Sequence, residues 1–487
     1  MMWVSLALML ACCALLLPAP GCAQREGYCL ASDYDPYLMF STKSAYELVK
    51  GRDNNQHVVP YCRAVQFWSF NRHGTRLPTA KEIDELPKLA KTRDDIIANY
   101  EVRRTAPDQG RLCNQDLENL KLWSWNRNFT QNYANDLTYQ GYNDLRFLAK
   151  RWQTKFPDIL ASNYAPKDFM FRYTEKRRTK DSYRAYIDGL FGRDAASGIR
   201  PPQVIPNDTL LQPYKFCTEW IKEVEENEQT MEQVKQFKMK EEWTTMITNV
   251  SNHLGYKYPL EERVVENIYD MCRYDKAWEL DKPSPWCAAF SKDQLHLLEY
   301  AEDLENYYDA GYGSKLNKMV GCTPIKDFMT KFTKMIEHPE EEQPKAIVYF
   351  THSRMIQLLI TALGTSEDSV PLTSDNYHTP NIQRRMWRTS LIDPFASNLV
   401  AVLYKCQEGD SHRVMFFLNE KPLDFPDCRV GLCSWDVVKK KFAAIADECN
   451  LNFCYPNSAG VTSASFKLQL FIALAVSIFT AKMSLGN

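Results

Sequence analysis

Five short apolar runs along the chain have the length and composition of β-strands. In chain order they cover residues 64–70, 169–173, 346–350, 399–404 and 414–418. The second run alternates over a few residues, whereas the third and fourth are continuously apolar, which is typical of strands buried on both faces. Helical segments separate the first four runs, and this indicates a parallel sheet with crossover connections. The fifth run is expected to pair nearby.

Two long segments between these strands carry helical patterns and no convincing strand pattern. They cover about residues 82–165 and 206–343, and the second includes amphipathic runs such as 218–240. We therefore predict an α/β fold, with a mainly parallel sheet flanked by helices and an inserted α-helical domain over the carboxyl edge of the sheet. The α/β core is expected in three pieces, at about residues 60–81, 166–205 and 344–420.

The two ends of the sequence carry targeting patterns. Residues 1–23 contain no charged side chain and end in Gly21-Cys22-Ala23, which is typical of a cleaved signal peptide and leaves 24–455 as the folded region. In 456–487, small residues around Asn457 and Ser458 precede a polar spacer and an apolar stretch at 468–481. This order predicts a glycosylphosphatidylinositol signal with Asn457 or Ser458 as the attachment residue. A tail anchor is the alternative, but the stretch is shorter than the roughly twenty residues that span a bilayer.

Charge and cysteine content narrow the class of protein. The chain of 487 residues has a net charge of −2 and no long basic tract, so general nucleic-acid binding is not expected. Twelve of the 15 cysteines lie after the signal segment, without CxxC pairs or histidines at zinc spacing. Disulfides in the secretory pathway explain them, with the pairing left open, and no metal or organic cofactor is predicted. Glycosylation sequons at Asn128, Asn207 and Asn249 agree with a secreted or cell-surface protein.

The sequence Arg72-His73-Gly74-Thr75-Arg76-Leu77-Pro78 directly follows the first apolar run. Arginine offers a planar fork of donors that suits a phosphate group, and histidine is the side chain best able to act as a nucleophile near neutral pH. Glycine is expected to let the backbone turn so that these side chains converge at the end of the strand. The motif predicts a phosphoryl group attacked by His73.

Two other strands are followed by cationic or donor groups. Residues 174–182 follow the second strand and include Lys176 and Arg178, and residues 351–354, with His352, follow the third. Each segment alone would be interpreted as a charged surface loop. Their repeated position directly after strands predicts one shared site with His73.

The order of these motifs resembles that of the histidine acid phosphatases, the phytase-like branch of the histidine phosphatase superfamily. Over nearly its whole mature length the chain is similar to the multiple inositol polyphosphate phosphatases, with further similar stretches at 284–287, 311–313, 397–399 and 418–420. The resemblance implies removal of phosphates from phytate and related inositol phosphates through a phosphohistidine on His73. It implies a phosphate clamp with a further donor, formed by Arg72, Arg76, Arg178 and His352. Candidates for the outlying phosphates of this polyanionic substrate are Lys176, Arg384, Arg385 and Arg388.

Residues 353 and 354 depart from the family pattern. The late histidine is typically followed by Ala-Glu, and the glutamate donates a proton to the leaving alcohol; many phytases instead have an aspartate directly after the histidine. This chain has Ser353 and Arg354. Loss of the acid costs a factor of about 10²–10⁴, so three outcomes stay open. Glu175 or Asp181 supplies the acid, water serves in a slower enzyme, or the protein binds inositol phosphates without turnover. A phosphoglycerate-mutase-like transferase is the nearest alternative enzyme.

Overall fold

The structure of the protein is a computed structural model that describes residues 29–33, 39–53, 55–102, 111–407, 412–428 and 431–455. The predicted signal peptide and the predicted attachment residues Asn457 and Ser458 lie outside these ranges. The α-helices of the described residues are α1 Tyr46–Val49, α2 Ala80–Glu85, α3 Leu89–Val102, α4 Asn114–Leu122, α5 Tyr139–Lys155, α6 Arg177–Phe191, α7 Arg193–Ser197, α8 Thr218–Trp220, α9 Glu232–Lys238, α10 Glu241–His253, α11 Glu262–Trp278, α12 Lys292–Asp309, α13 Lys315–Val320, α14 Thr323–Glu337, α15 Ser353–Leu363, α16 Pro380–Gln383, α17 Thr389–Ile392 and α18 Trp435–Glu448.

A single sheet of seven strands forms the centre of the fold. The strands are β1 Cys62–Arg72, β2 Phe169–Tyr173, β3 Ala346–Thr351, β4 Asn398–Cys406, β5 His412–Leu418, β6 Lys421–Pro422 and β7 Leu432–Ser434. Their spatial order is β2-β3-β1-β4-β5-β6, and β7 pairs with β5. Because β1, β2 and β3 are parallel neighbours joined through helical segments, the predicted α/β class with a mainly parallel sheet is confirmed.

The direction of β4 differs from the prediction. β4 runs antiparallel to β1, with Asn71 opposite Asn398, and β5 runs antiparallel to β4. The apolar run gave no sign of this, because a strand buried on both faces has the same composition in either direction. As a consequence, β4 begins at the edge of the sheet where β1 and β3 end.

Both faces of the sheet are buried, as the continuous apolar runs predicted. In β1, Trp68 and Phe70 point to one face and Phe67 to the other, following the period of two residues in a strand. Helices α5 and α6 cover the Phe67 face through residues such as Trp152 and Tyr186. The opposite face continues into the larger apolar core that the helices of 206–343 build.

The described parts of 82–165 and 206–343 contain helices, turns and irregular segments, together with one isolated β-bridge at Leu137. Short 3₁₀ turns connect many of the helices, and residues Ile221–Glu225 form a π-helical turn. No helix in the described ranges has both the length and the apolar character required to cross a membrane.

The predicted disulfides are confirmed, and the structure adds their pairing. The twelve cysteines that follow the signal segment form the bonds Cys29–Cys113, Cys62–Cys406, Cys217–Cys454, Cys272–Cys287, Cys322–Cys449 and Cys428–Cys433. Two of them tie residues near the carboxyl end back to the rest of the fold, because Cys217 and Cys322 lie in the helical region before β3.

Candidate active site

The register of the parallel strands brings the three predicted segments together. Arg72, the last residue of β1, lies opposite Thr351, the last residue of β3, and Tyr173 of β2 lies opposite Phe350. The residues that follow these strands therefore emerge side by side at the carboxyl edge of the sheet. The rings of His73 and His352 are 5.7 Å apart between centroids.

His73 is buried, with 3% of its surface exposed. Its Nδ1 donates a hydrogen bond to the carbonyl oxygen of Gly74 at 2.9 Å, because a carbonyl can only accept. In the neutral ring the lone pair is then on Nε2. Burial, followed by the positive charges of Arg178 and Arg72, holds the pKa of His73 well below its usual range. The low pKa favours the neutral form of His73, in which Nε2 carries a free lone pair.

Gly74 serves close packing rather than an unusual backbone angle. Its φ is outside the positive range, so the expected sharp turn is not the reason for glycine here. A Cβ on Gly74 would lie 2.2 Å from the carbonyl oxygen of Gly141 in α5, and a Cβ on Gly141 would lie 2.0 Å from that of Thr75. The two glycines let the loop after His73 lie directly on the backbone of α5.

Arg72 is fixed beside His73 by backbone carbonyls. Its Nη1 donates to the carbonyl oxygens of Thr42 and Asp393, both at 2.7 Å, and its guanidinium lies 4.8 Å from the ring centroid of Phe395. Burial lowers the pKa of Arg72, and the carboxylate of Asp393 opposes this effect. Its Nε is buried and has no hydrogen-bond partner among the described residues.

Arg178 and His352 are joined directly. Arg178 Nη2 donates to His352 Nδ1 at 3.2 Å, so in the neutral ring Nε2 carries the hydrogen that it shares with Thr174 Oγ1 at 2.9 Å. The sequence predicts that His352 donates a hydrogen bond to the phosphate. In the structure, both of its ring nitrogens form hydrogen bonds within the protein, with Arg178 and Thr174. Burial, then the positive charges of Arg76 and Arg72, lowers the pKa of Arg178 to about 10. The Nε of Arg178 is buried without a partner, like that of Arg72.

Arg76 completes the group of three guanidinium groups. Its Nη1 donates to the carbonyl oxygen of Leu77 at 2.8 Å and to the hydroxyl of Tyr274 at 3.0 Å. Glu82 lies 3.9 Å away and accepts a hydrogen bond from the same tyrosine at 2.9 Å. Tyr274 comes from α11, so the helical insertion holds this arginine in place.

Two lysines add positive charge at the rim. Lys176, predicted from the sequence, is exposed at the start of α6. Lys215, which the sequence analysis missed, lies in the 3₁₀ turn Pro213–Lys215, and its pKa is lowered by burial and by the charges of Lys176 and Arg178. Both lysines also lower the pKa of His352. A single lysine within a helical insertion carries no sequence signal, so Lys215 could only be found in the structure.

The later arginines do not form one substrate site. Arg385 is fully buried in ion pairs with Asp303 at 2.6 Å and Glu299 at 3.0 Å, and Arg388 pairs with the same Glu299 at 3.0 Å. The proposal that Arg385 meets an outlying phosphate is therefore wrong, because its charge is already neutralised inside the fold. Arg384 is exposed, and its assignment stays a prediction.

Ser353 and Arg354, which replace the family's Ala-Glu, contact different carboxyl groups. Arg354 donates to Asp309 and Glu225. Ser353 donates to the carboxylate of Asp393, a residue that the sequence analysis did not consider. Of the two candidate acids, Asp181 pairs with Arg184 at 3.3 Å and Glu175 is exposed. The carboxyl groups in contact with the arginines and the serine are thus Asp393, Glu82, Asp309 and Glu225.

Comparison with known proteins agrees with this geometry. The profile of the family described as "Histidine phosphatase superfamily (branch 2)" matches residues 69–419. The chain is 39% identical to "Multiple inositol polyphosphate phosphatase 1" of Drosophila melanogaster over 450 residues, which are 91% of this chain and 94% of the relative.

Solved structures with the same fold include the phytase from D. castellii, with a TM-score of 0.64, 17% identity and coverage of 86% of this chain and 90% of that chain. A second is the Bifidobacterium longum multiple inositol polyphosphate phosphatase in complex with inositol hexasulfate, with a TM-score of 0.58, 13% identity and coverage of 81% and 94%. The chain therefore belongs to branch 2 of the histidine phosphatase superfamily and, within it, to the multiple inositol polyphosphate phosphatases.

Proposed function

We propose that this protein hydrolyses phosphate monoesters of inositol polyphosphates, such as phytate, through a phosphohistidine on His73. The observation that carries the proposal is the unprotonated Nε2 of a buried histidine among the guanidinium groups of Arg72, Arg76 and Arg178. The names of the relatives supply the substrate class, since both the Drosophila melanogaster and the Bifidobacterium longum proteins are described as inositol polyphosphate phosphatases.

In the first step, Nε2 of His73 attacks the phosphorus atom, an N–P bond forms, and the ester P–O bond breaks. The hydrogen bond from Nδ1 to Gly74 orients the ring and stabilises the positive charge that develops on it. The three arginines interact with the equatorial oxygens, where the negative charge of the transition state is spread. The inositol oxygen leaves as an alcohol once it has received a proton.

In the second step, water attacks the phosphohistidine, the N–P bond breaks, and inorganic phosphate and free His73 are formed. The low pKa of His73 favours this step, because a nitrogen that binds protons weakly is also a good leaving group. The arginines stay in place through both steps, since backbone carbonyls and Tyr274 hold Arg72 and Arg76.

The electrostatics of the rim favour a substrate with several phosphates. Lys176 and Lys215 lie close enough to His352 to lower its pKa, and each lowers its pKa further than Arg72 does. A substrate with one phosphate interacts only with the three arginines, whereas a ring with several phosphates also interacts with Lys176 and Lys215. Inositol polyphosphates therefore fit the proposed site better than simple alkyl phosphates do.

The test is phosphate release from phytate by the purified wild-type protein and by His73→Ala. We expect release by the wild type, loss in the variant, and acid-labile phosphate on the wild-type protein after rapid quenching. His338→Ala is the matched control, because this histidine is exposed and pairs only with Glu340 among the described residues. Equal, background-level release of phosphate by all three proteins would refute the proposed enzyme activity. Phytate binding that persists in that case, measured by calorimetry, would support an inositol-phosphate-binding pseudoenzyme.

For its location, we propose secretion and attachment to the cell surface by a glycosylphosphatidylinositol anchor. The sequence patterns at both ends, the six disulfide bonds and the exposure of Asn128, Asn207 and Asn249 support this proposal. Release of the protein from intact cells by a phosphatidylinositol-specific phospholipase is expected. A protein that stays on the cells after this treatment would contradict the lipid anchor.

A further inference from the structure

We propose that Asp393 and Ser353 together form the proton donor for the leaving alcohol, replacing the glutamate that is absent at position 354. The proposal rests on the proposed phosphatase function, because a proton donor has meaning only if a phosphate ester is cleaved.

The two residues are in direct contact at the edge of the arginine group. The hydroxyl of Ser353 is hydrogen-bonded to Asp393 Oδ2, and Gln357 Nε2 contacts the same oxygen at 2.8 Å and the hydroxyl at 3.2 Å. The other oxygen, Oδ1, is buried, has no hydrogen-bond partner among the described residues and lies 3.6 Å from Arg72 Nη1. The carboxyl group therefore touches both the residue beside the nucleophile and the residue beside His352.

In this proposal the leaving oxygen of the ester lies beside Ser353. It is the first residue of α15, directly after His352, and it is partly accessible, whereas the side chain of Asp393 is fully buried. The antiparallel direction of β4 brings Asp393 to this edge, because the residues that precede Asn398 lie beside the ends of β1 and β3. The buried carboxyl group is thus hydrogen-bonded to one partly accessible hydroxyl, that of the residue after His352.

Asp309 and Glu82, the carboxyl groups next to Arg354 and Arg76, are each paired with a cation. Both oxygens of Asp309 accept hydrogen bonds from Arg354, at 2.9 and 3.1 Å, and this guanidinium also binds Glu225. Glu82 lies 3.3 Å from Lys43 and accepts from Tyr274, and its pKa is lowered. Glu82 is thus held in its ionised form and cannot deliver a proton to an alkoxide, and both oxygens of Asp309 are occupied by the guanidinium of Arg354.

The pKa of Asp393 is shifted in the opposite direction from that of Glu82. Burial raises the pKa of its carboxyl group to about 6, although the positive charge of Arg72 and the hydrogen bonds from Gln357 and Ser353 oppose this effect. The carboxyl group is therefore protonated in a mildly acidic medium. This agrees with the donor role that the contacts indicate.

The proton transfer balances in both steps. When Asp393 is protonated, its carboxyl group donates the hydrogen bond to Ser353 Oγ, and the hydroxyl hydrogen of Ser353 is available to the leaving oxygen. As the P–O bond breaks, Ser353 gives this hydrogen to the leaving oxygen and receives the hydrogen of Asp393, which becomes a carboxylate that accepts from Ser353 again. When water attacks the phosphohistidine, one proton of the water returns through Ser353 to Asp393. No other reactant is consumed, and the pair begins the next cycle in its original state.

A comparison of two substrates tests the proposal. The alkoxide of inositol needs a proton to leave, whereas p-nitrophenolate is stable without one. Asp393→Asn keeps the main-chain carbonyl that holds Arg72 but removes the acid. We expect it to lower kcat for phytate by about 10²-fold or more while turnover of p-nitrophenyl phosphate changes little. Ser353→Ala should show the same selective loss.

A control and a rescue complete the experiment. Asp116→Asn removes another buried carboxyl group, one that accepts hydrogen bonds from the main-chain N–H groups of Leu30 and Ala31, and it should affect neither substrate. In the Asp393→Asn background, Ser353→Asp places a carboxyl group at the position from which the serine hydroxyl would pass the proton to the substrate. This change should restore turnover of phytate. The p-nitrophenyl phosphate reaction also shows whether each variant has folded.

The outcomes separate the two proposals. If the wild type hydrolyses neither substrate, the phosphatase function itself is wrong. If the wild type is active and Asp393→Asn and Ser353→Ala reduce the turnover of both substrates equally, these residues only position Arg72. The proposal that they form the proton donor is then overturned. A selective loss of phytate turnover in Asp116→Asn, or no such loss in Ser353→Ala, would overturn it as well.

Discussion

Arg354 binds Asp309 through a two-point ion pair, with its Nε 2.9 Å from one carboxylate oxygen and its Nη2 3.1 Å from the other. The guanidinium also lies 5.4 Å from the ring centroid of Tyr214 and 5.1 Å from that of Trp220. The side chain at the position of the family's glutamate is therefore part of a packed ion-pair cluster within the helical region.

This cluster predicts the effect of restoring the family residue. Arg354→Glu places a third carboxylate beside Asp309 and Glu225, so we expect a lower melting temperature and no gain in phytate turnover. Arg354→Gln is the milder change and should cost roughly 1–3 kcal/mol, between the values for exposed and buried pairs. Thermal unfolding and phytate kinetics measure both effects.

Arg263→Gln is the matched control for this change. Arg263 pairs with Glu85 at 3.1 Å and is largely exposed, so its loss should cost less than about 1 kcal/mol. If Arg354→Glu instead increases phytate turnover, position 354 is a vacant donor position and the proton does not come from Asp393.

The contact of α5 with the loop after His73 predicts a second effect. Gly141→Ala would press against the carbonyl oxygen of Thr75, and such overpacking costs roughly 1–3 kcal/mol. It should also displace the loop that carries His73 and lower kcat/KM by about 10–100-fold. Gly189→Ala, which meets the carbonyl oxygen of Arg146 at 2.2 Å between α5 and α6, is the control. We expect it to lower stability by a similar amount with a smaller effect on kcat/KM, and equal losses of activity would contradict the positioning role of Gly141.

Lys215 should contribute to the binding of highly phosphorylated substrates. Lys215→Gln removes one positive charge from the rim without changing the arginine group, so KM for phytate should rise several-fold while kcat changes little. The increase should shrink at high salt, because the lysine is exposed and its field is screened. Lys440→Gln, an exposed change on α18, should leave KM unchanged. A fall in kcat with constant KM would show that Lys215 has another role.

Much of the site was predictable because it follows strands that are easily recognised. His73, Arg178 and His352 each come shortly after a run with a strand pattern, and parallel strands end at one edge of the sheet. That rule brings these residues together from sequence alone. The motif around His73 and the resemblance to the family then supplied the chemistry, and the comparisons support the family.

The residues that were missed depend on contacts that leave no pattern in the sequence. Asp393 reaches the site because β4 is antiparallel, whereas the predicted parallel strand would have placed its start at the opposite edge. Lys215 and Tyr274 come from the helical region, and the packing of helices on the sheet has no local signature. Arg385 was misassigned for the same reason, because its buried partner Asp303 is 82 residues away in the chain.

The pH dependence of phytate hydrolysis follows from two titrating groups with opposite requirements. His73 must be neutral to attack, so activity should be lost as pH falls through its pKa, which lies well below 6.5. Asp393 must be protonated to donate, so activity should decline as pH rises through about 6. The charged and polar groups that face this carboxyl are Arg72 from β1 and Ser353 and Gln357 from α15. We therefore expect kcat/KM to be greatest in a mildly acidic range.

Asp393→Asn separates the contribution of Asp393 to the pH dependence of kcat/KM from that of the substrate, whose phosphates also titrate. In Asp393→Asn the group with a pKa of about 6 is gone, so the remaining phytate activity should lack the decline with rising pH that the wild type shows. The acid side of the profile should be unchanged, because burial and the charges of Arg178 and Arg72 still lower the pKa of His73. Profiles of kcat/KM from pH 3 to 8 for both proteins on the same substrate make this comparison. An unchanged decline in the variant would assign it to the substrate or to another residue.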